Sequence, residues 1–101
     1  MMTTRLAQLR PDALAEFCRR RHISKLSLFG SVLRPDFRPD SDVDVLVEFE
    51  PGQTPGLAFF DIEAELSQLL GRRVDLNTPH FLSPRIRARV QAEAEVLVGR
   101  P

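Results

Sequence analysis

The 101-residue chain predicts an α+β domain, a small mixed β-sheet with helices packed on one face. Three observations carry that expectation. Asp42 to Phe49 alternates, with Val43, Val45, Val47 and Phe49 on one side, so one face of a central strand seeks a core. Leu57 to Leu70 repeats Phe59, Ile62, Leu66, Leu69 and Leu70 at helical spacing and supplies a helix to cover that face. The segments follow in the order helix, strand, strand, helix, strand, helix and a short final strand, with no repeat or linker dividing residues 1–101.

Each element has its local signals. Met1 to Arg10 carries no strong cap or period and reads as a loose start or a first helical turn. Pro11 suits the first turn of a helix whose face holds Leu14, Phe17, Cys18 and Arg21. The run Arg19-Arg20-Arg21 lies at the end of that helix, where cations suit the dipole, and reads as a solvated basic end. Lys25 to Phe29 alternates as a strand and stops at Gly30-Ser31. Pro35 and Pro39 confine Val32 to Ser41 to a loop or broken helical turn. Glu50 to Gly56 is turn-rich. Gly71 ends the second helix, Arg73 to Leu76 is a short strand, and Ser83-Pro84 opens a third helix as N-cap and first residue. Glu95 to Val98 is a short last strand. Whether the first two strands run parallel or antiparallel is open at this level.

Composition narrows the function classes. Fourteen Lys plus Arg balance 14 Asp plus Glu, which argues against holding nucleic acid by bulk charge. The one cysteine, Cys18, makes no internal disulfide and reads as a small core residue. No apolar stretch is long enough to span a membrane, and a cytoplasmic protein is expected.

The chemistry concentrates in three places. If the valines of the central strand face the helices, Asp42 and Asp44 face away, their Cα atoms roughly 6.5–7 Å apart. Carboxylates that close repel unless a proton or cation intervenes, and Mg²⁺ is the natural cation because it takes one or two carboxylates plus phosphate oxygens. Asp75 lies between Val74 and Leu76, so it points outward as they point inward. If its strand neighbours the central one, the three acids converge. None of the three has an obvious cationic partner in the sequence. Gly30-Ser31 ends a strand in a turn whose glycine lets backbone N–H groups approach a phosphate, and Arg34 follows within reach of one. Separately these are ordinary features: a turn, a polar strand edge, a surface acid. His22 and His80 read as surface or loop residues, and Phe59-Phe60 as core plus partner surface. Together Gly30, Ser31, Arg34, Asp42, Asp44 and Asp75 form a candidate nucleotidyl-transfer centre. A contact-only binding module and a small metal-dependent nuclease are the competing classes; the nuclease leaves Gly30-Ser31 unexplained.

Three stretches, Phe29-Gly30-Ser31-Val32-Leu33-Arg34, Ser41-Asp42-Val43-Asp44-Val45-Leu46-Val47 and Gly71-Arg72-Arg73-Val74-Asp75-Leu76, resemble the minimal nucleotidyltransferases of the polymerase-β superfamily. The signature of that family is Gly-Ser, ten residues, Asp-x-Asp and a later Asp, and the spacing here matches it. The turn continues as Val32-Leu33-Arg34-Pro35, bulkier than the small residue and glycine that many members carry around the arginine. The resemblance implies a polymerase-β-like fold acting with Mg²⁺ and an NTP, usually ATP. It implies Asp42 and Asp44 as ligands of two metal ions, Asp75 as the third carboxylate, and Ser31 and Arg34 on the triphosphate. Many such proteins resemble antitoxins of HEPN-domain ribonuclease toxins, and in that family AMP can be transferred to a toxin tyrosine. This chain has no tyrosine, so the acceptor would lie on the partner.

Overall fold

The computed structural model describes residues 10–35, 38 and 41–99. The expectations for Met1 to Leu9, Asp36, Phe37, Pro39 and Asp40 lie outside the described residues. Helix α1 spans Pro11–Arg20, strand β1 Ile23–Phe29, β2 Val43–Phe49, helix α2 Ala58–Leu70, β3 Val74–Asn77, α3 Pro84–Glu93 and β4 Glu95–Val98. One-turn 3-10 segments follow β1 at Gly30–Leu33 and β3 at Pro79–Phe81. The boundaries differ from the sequence reading by a residue or two, chiefly in β1, which starts at Ile23.

The four strands form one mixed sheet in the order β3-β2-β1-β4. β1 pairs antiparallel with both β2 and β4, while β2 and β3 are parallel. That settles the direction the sequence left open. Thirteen residues separate β1 from β2, and among the described ones none belongs to a crossover α-helix, which accords with an antiparallel return. Between β2 and β3 helix α2 makes the crossover that a parallel pair requires.

The alternation of β2 works as expected. Val43, Val45 and Val47 are fully buried and meet Leu26 and Leu28 of β1, Phe17 of α1, and Ile62, Leu66 and Leu70 of α2. Phe59 and Leu69 pack against that core from its margin. Helix α3 buries no residue. Its last turn instead meets the opposite face of the sheet, where Lys25, Ser27, Leu46 and Glu48 share a shallow cleft with Gln91 and Ala92. Leu46 and Ser27 are buried there.

The ends of the helices are as the local signals require. Gly71 takes a left-handed φ of +68°. Its N–H donates to the Gln68 carbonyl and that of Arg72 to the Ser67 carbonyl, the paired bonds of a Schellman stop. Ser83 Oγ accepts from the Ile86 N–H and Pro84 takes the first helical position. The basic end of α1 departs from the reading of a solvated terminus. Arg20 and Arg21 both reach Glu65 on α2, at 2.6 and 2.9 Å, and Arg19 pairs with Glu16. Arg20 and Arg21 thus tie the two helices together, with Glu65 lying 45 and 44 residues from them in sequence.

Candidate active site

The antiparallel register sets Phe29 opposite Asp44, so the turn that ends β1 lands beside that carboxylate. Gly30 opens the turn at φ +78°. Any other residue there would be strained in backbone, and a Cβ would collide with Asp44 Oδ2. Glycine is therefore what lets backbone and carboxylate come together. Val32, 1% exposed, roots the turn in the core. This is the physical reason for the bulky residue at that position. Ser31 is the second residue of the turn; its side chain lies outside the described part of the structure. Arg34 is exposed immediately after the turn.

On the other side of Asp44 the parallel register pairs it with Asp75. Their side chains share one face of the sheet. The Asp44 carboxyl is raised above its ordinary pKa. Burial is the largest cause, followed by the charges of Asp75 and Asp42. Asp42 stands at the rim, half-exposed just before β2, with Oδ1 3.9 Å from the Arg73 guanidinium. The expectation that none of the acids has a cationic partner is thus corrected for Asp42. The structure sets Asp44 and Asp75 side by side on paired strands and holds Asp42 within electrostatic reach of Asp44.

Among the described residues no three Asp, Glu, His or Cys side chains stand together as a closed metal cage. The donor set nonetheless fits Mg²⁺, a hard cation held by one or two carboxylates and completed by phosphate and water. Carboxylates paired across neighbouring strands repel each other, and a divalent cation relieves that repulsion.

Several supporting residues escaped sequence reasoning. Arg72 donates to the carbonyls of Arg38 and Ser41, at 3.0 and 2.7 Å, and so fastens the segment that delivers Asp42. Helix α2 clasps β3 along its outer edge. Ser67 Oγ accepts from the Val74 N–H at 3.0 Å while donating to the Glu63 carbonyl, and Glu63 Oε2 accepts from the Leu76 N–H at 2.8 Å. Asp75 sits between these two anchored amides. The only signal for this in the sequence is a Glu and a Ser four apart on the helix before the strand, which is too common to read. His22 and His80 are exposed, as expected; His80 follows β3 in the second 3-10 turn.

With this geometry in place, similarity to known proteins is informative. The family model for the nucleotidyltransferase domain matches residues 11–97. A Methanocaldococcus jannaschii protein provisionally named a protein adenylyltransferase is 35% identical over 72 residues, 71% of this chain and 76% of that one. The protein adenylyltransferase MntA of Thermococcus cleftensis is 46% identical over 55 residues, and the chain spans about half of its length, 54%. A structure provisionally described as a minimal nucleotidyltransferase superposes with a TM-score of 0.70 at 41% identity, over 84% of this chain and 86% of that one. Two toxin–antitoxin complexes share the fold at lower identity. One, solved with AMP-PNP, has a TM-score of 0.72 at 21% identity, over 91% of this chain and 75% of that one. The other holds a tri-AMPylated Shewanella oneidensis HEPN toxin with an MNT antitoxin, with a TM-score of 0.63 at 20% identity, over 89% and 70%. Among the described residues no helix is long and apolar enough to cross a membrane. The mixed sheet, the glycine turn against Asp44 and the Asp44–Asp75 pair are thus those of a chain that belongs to the nucleotidyltransferase domain family.

Proposed function

We propose that the chain is a Mg²⁺-dependent protein adenylyltransferase that moves AMP from ATP onto a hydroxyl of a partner protein, a HEPN-type ribonuclease toxin, and so acts as its antitoxin in the cytoplasm. One observation carries the reading: a glycine turn is packed directly against one of two carboxyls that are paired across parallel strands. A glycine turn can hold a phosphate and paired carboxyls a cation, so their being side by side supports phosphoryl-group transfer.

Asp44 and Asp75, with Asp42 beside them, would hold Mg²⁺. When bound, the ion supplies positive charge for the triphosphate and for the oxygen that attacks it. The Gly30–Ser31 backbone and the Arg34 guanidinium hold the β- and γ-phosphates and steady the charge that grows on them. The acceptor oxygen bonds to the α-phosphorus as the bond from that phosphorus to the β-phosphate oxygen breaks. Pyrophosphate leaves, and the hydroxyl proton passes to the Asp44–Asp75 pair. Arg72, Ser67 and Glu63 touch none of the reacting atoms; they keep the carboxylates in register. Similarity to adenylyltransferases, and to an antitoxin bound to its AMPylated toxin, supports ATP as donor and a HEPN protein as acceptor.

The test is intact mass spectrometry of the partner after incubation with the chain and ATP. With Mg²⁺ the partner gains whole AMP units; without Mg²⁺, or with Asp44→Asn, it gains none. A partner neutralised equally well by Asp44→Asn, with no mass added by the unaltered chain, would identify a contact-only binding module instead.

A further inference from the structure

Helix α3 leaves one edge of the sheet, β3, and delivers the chain to the other, β4. Its ten residues span about 15 Å, and four strands about 4.8 Å apart make a sheet of about that width. Its last turn rests over Leu46, which lies two residues from Asp44 and on the same side of β2. The helix is therefore a bar across the face that carries the carboxylates, and it leaves Asp75 exposed. Little in it serves the fold. It buries no residue, and its first turn has no acid. Arg85 and Arg87 stand instead at the end where the helix dipole favours anions. Arg87 is used: it donates to the carbonyls of Pro79 and Leu82, at 2.7 and 3.1 Å. Arg85 and Arg89 are exposed and meet no partner among the described residues, and four residues apart on one helix they repel each other. Ile86 beside them is 49% exposed, one of three large apolar side chains so exposed among the described residues.

We infer that α3 is a docking face for the partner protein, and that its exposed side takes an acidic segment of that protein, with carboxylates on Arg85 and Arg89 and an apolar side chain on Ile86. The inference rests on the proposed reaction with a partner protein and adds the surface that captures it. A protein that reaches Asp44 and Asp75 has to pass this bar, since all three lie on one face of the sheet. An anionic segment answers each defect of the helix at once. It neutralises the repelling arginines, suits the positive end of the dipole and covers the isoleucine. A nucleic acid would answer the arginines and leave Ile86 in water. Glu93 and Glu95, at the far end of the helix and just past it, would repel a phosphate chain laid along it. Arg85 and Arg89 have no part in the chemistry. They set how tightly the partner is held and leave the rate of the bound complex alone.

The test compares the unaltered full chain with the double variant Arg85→Glu, Arg89→Glu. The HEPN protein is titrated into each by calorimetry without nucleotide, at low and at high salt, and AMP transfer is then followed by intact mass. The variant should bind about tenfold more weakly at low salt, and the deficit should shrink at high salt. In transfer, KM should rise by the same factor while kcat stays within about twofold. The melting temperature should not fall, because an acid suits the first turn of a helix better than an arginine does. A defined probe reads the same surface without the HEPN protein. A synthetic helical peptide with glutamate at every fourth position should shift the amides of Arg85 to Arg89 in the ¹⁵N-labelled full chain, and its glutamine counterpart should not. Equal affinity and equal KM in the two chains overturn the inference and leave the transfer reading standing. Weaker binding by the variant, with no mass added by the unaltered chain, overturns the transfer reading and leaves the docking face. An oligouridylate that shifts the α3 amides at lower concentration than the glutamate peptide shows a phosphate-binding face, and the inference fails.

Discussion

Strand β2 turns Val43, Val45 and Val47 to one side and Asp44 to the other, and the two sides respond to substitution with opposite signs. On the valine side every group gains by leaving water, so removing one costs stability. On the acidic side Asp44 is partly buried among like charges, and the fold is strained by its ionisation. Alternation with a period of two is what allows one strand to carry both. A helix could not separate them so sharply over three residues.

The largest effect should come from the core side. Leu66→Ala, deep beneath the valines, should cost about 2–5 kcal/mol in denaturant unfolding. A cost nearer that of a surface change would mean that α2 is not the lid of this core. Next comes Asp44→Asn, with the reverse sign for stability. AMP transfer should fall about 100-fold or more, some 2.7 kcal/mol of barrier, yet the metal-free protein should melt higher than the unaltered chain. The pH dependence follows from the raised folded-state pKa. Stability from a neutral Asp44 is fully present below the ordinary carboxylate value and is lost as pH rises through the raised one. Asp44→Asn should flatten that decline in metal-free thermal melts. A variant that melts lower would remove the contrast between the two sides.

Arg34→Ala should reduce transfer by about ten- to a hundredfold, the worth of a charge-assisted bond of roughly 1.5–3 kcal/mol, with lysine restoring only part. Unchanged steady-state rates would move the phosphate contact elsewhere in the turn. The smallest effect belongs to the ion pairs that join α1 to α2. Glu65→Gln should cost under about 1 kcal/mol near neutral pH, since its partners are partly exposed. Arg20 lowers the Glu65 carboxyl below its ordinary value, opposed in part by burial and helped by Arg21. Its contribution is therefore present above the ordinary value and fades as pH falls through the lowered one, opposite to Asp44. Denaturant midpoints of both variants across the carboxylate range would show the two slopes.

What could be read from the sequence was what local chemistry decides. Pro11, Gly71 and Ser83-Pro84 marked helix ends because caps act over a few residues. The valine alternation gave the core face, and the Gly30, Asp44 and Asp75 pattern gave the residues that the strand pairing brings together. The arrangement around them was hidden because it is made by distant parts. Glu65 answers arginines on another helix. Arg72 holds a segment more than thirty residues earlier. Burial of Leu46 depends on where the end of α3 comes to rest. The direction of β1 against β2 followed from the fold as a whole and from no residue in either strand.

The clasp on β3 has a consequence for how partners are met. β3 is the last strand of the sheet, and its outward amides at Val74 and Leu76 are those another chain would use to extend the sheet. Ser67 and Glu63 already occupy both. Strand addition, a common way for proteins to capture peptides, is thereby closed beside the carboxylates. Whatever approaches Asp75 must be recognised by its side chains, so a target is chosen for the shape it presents and not for being extended.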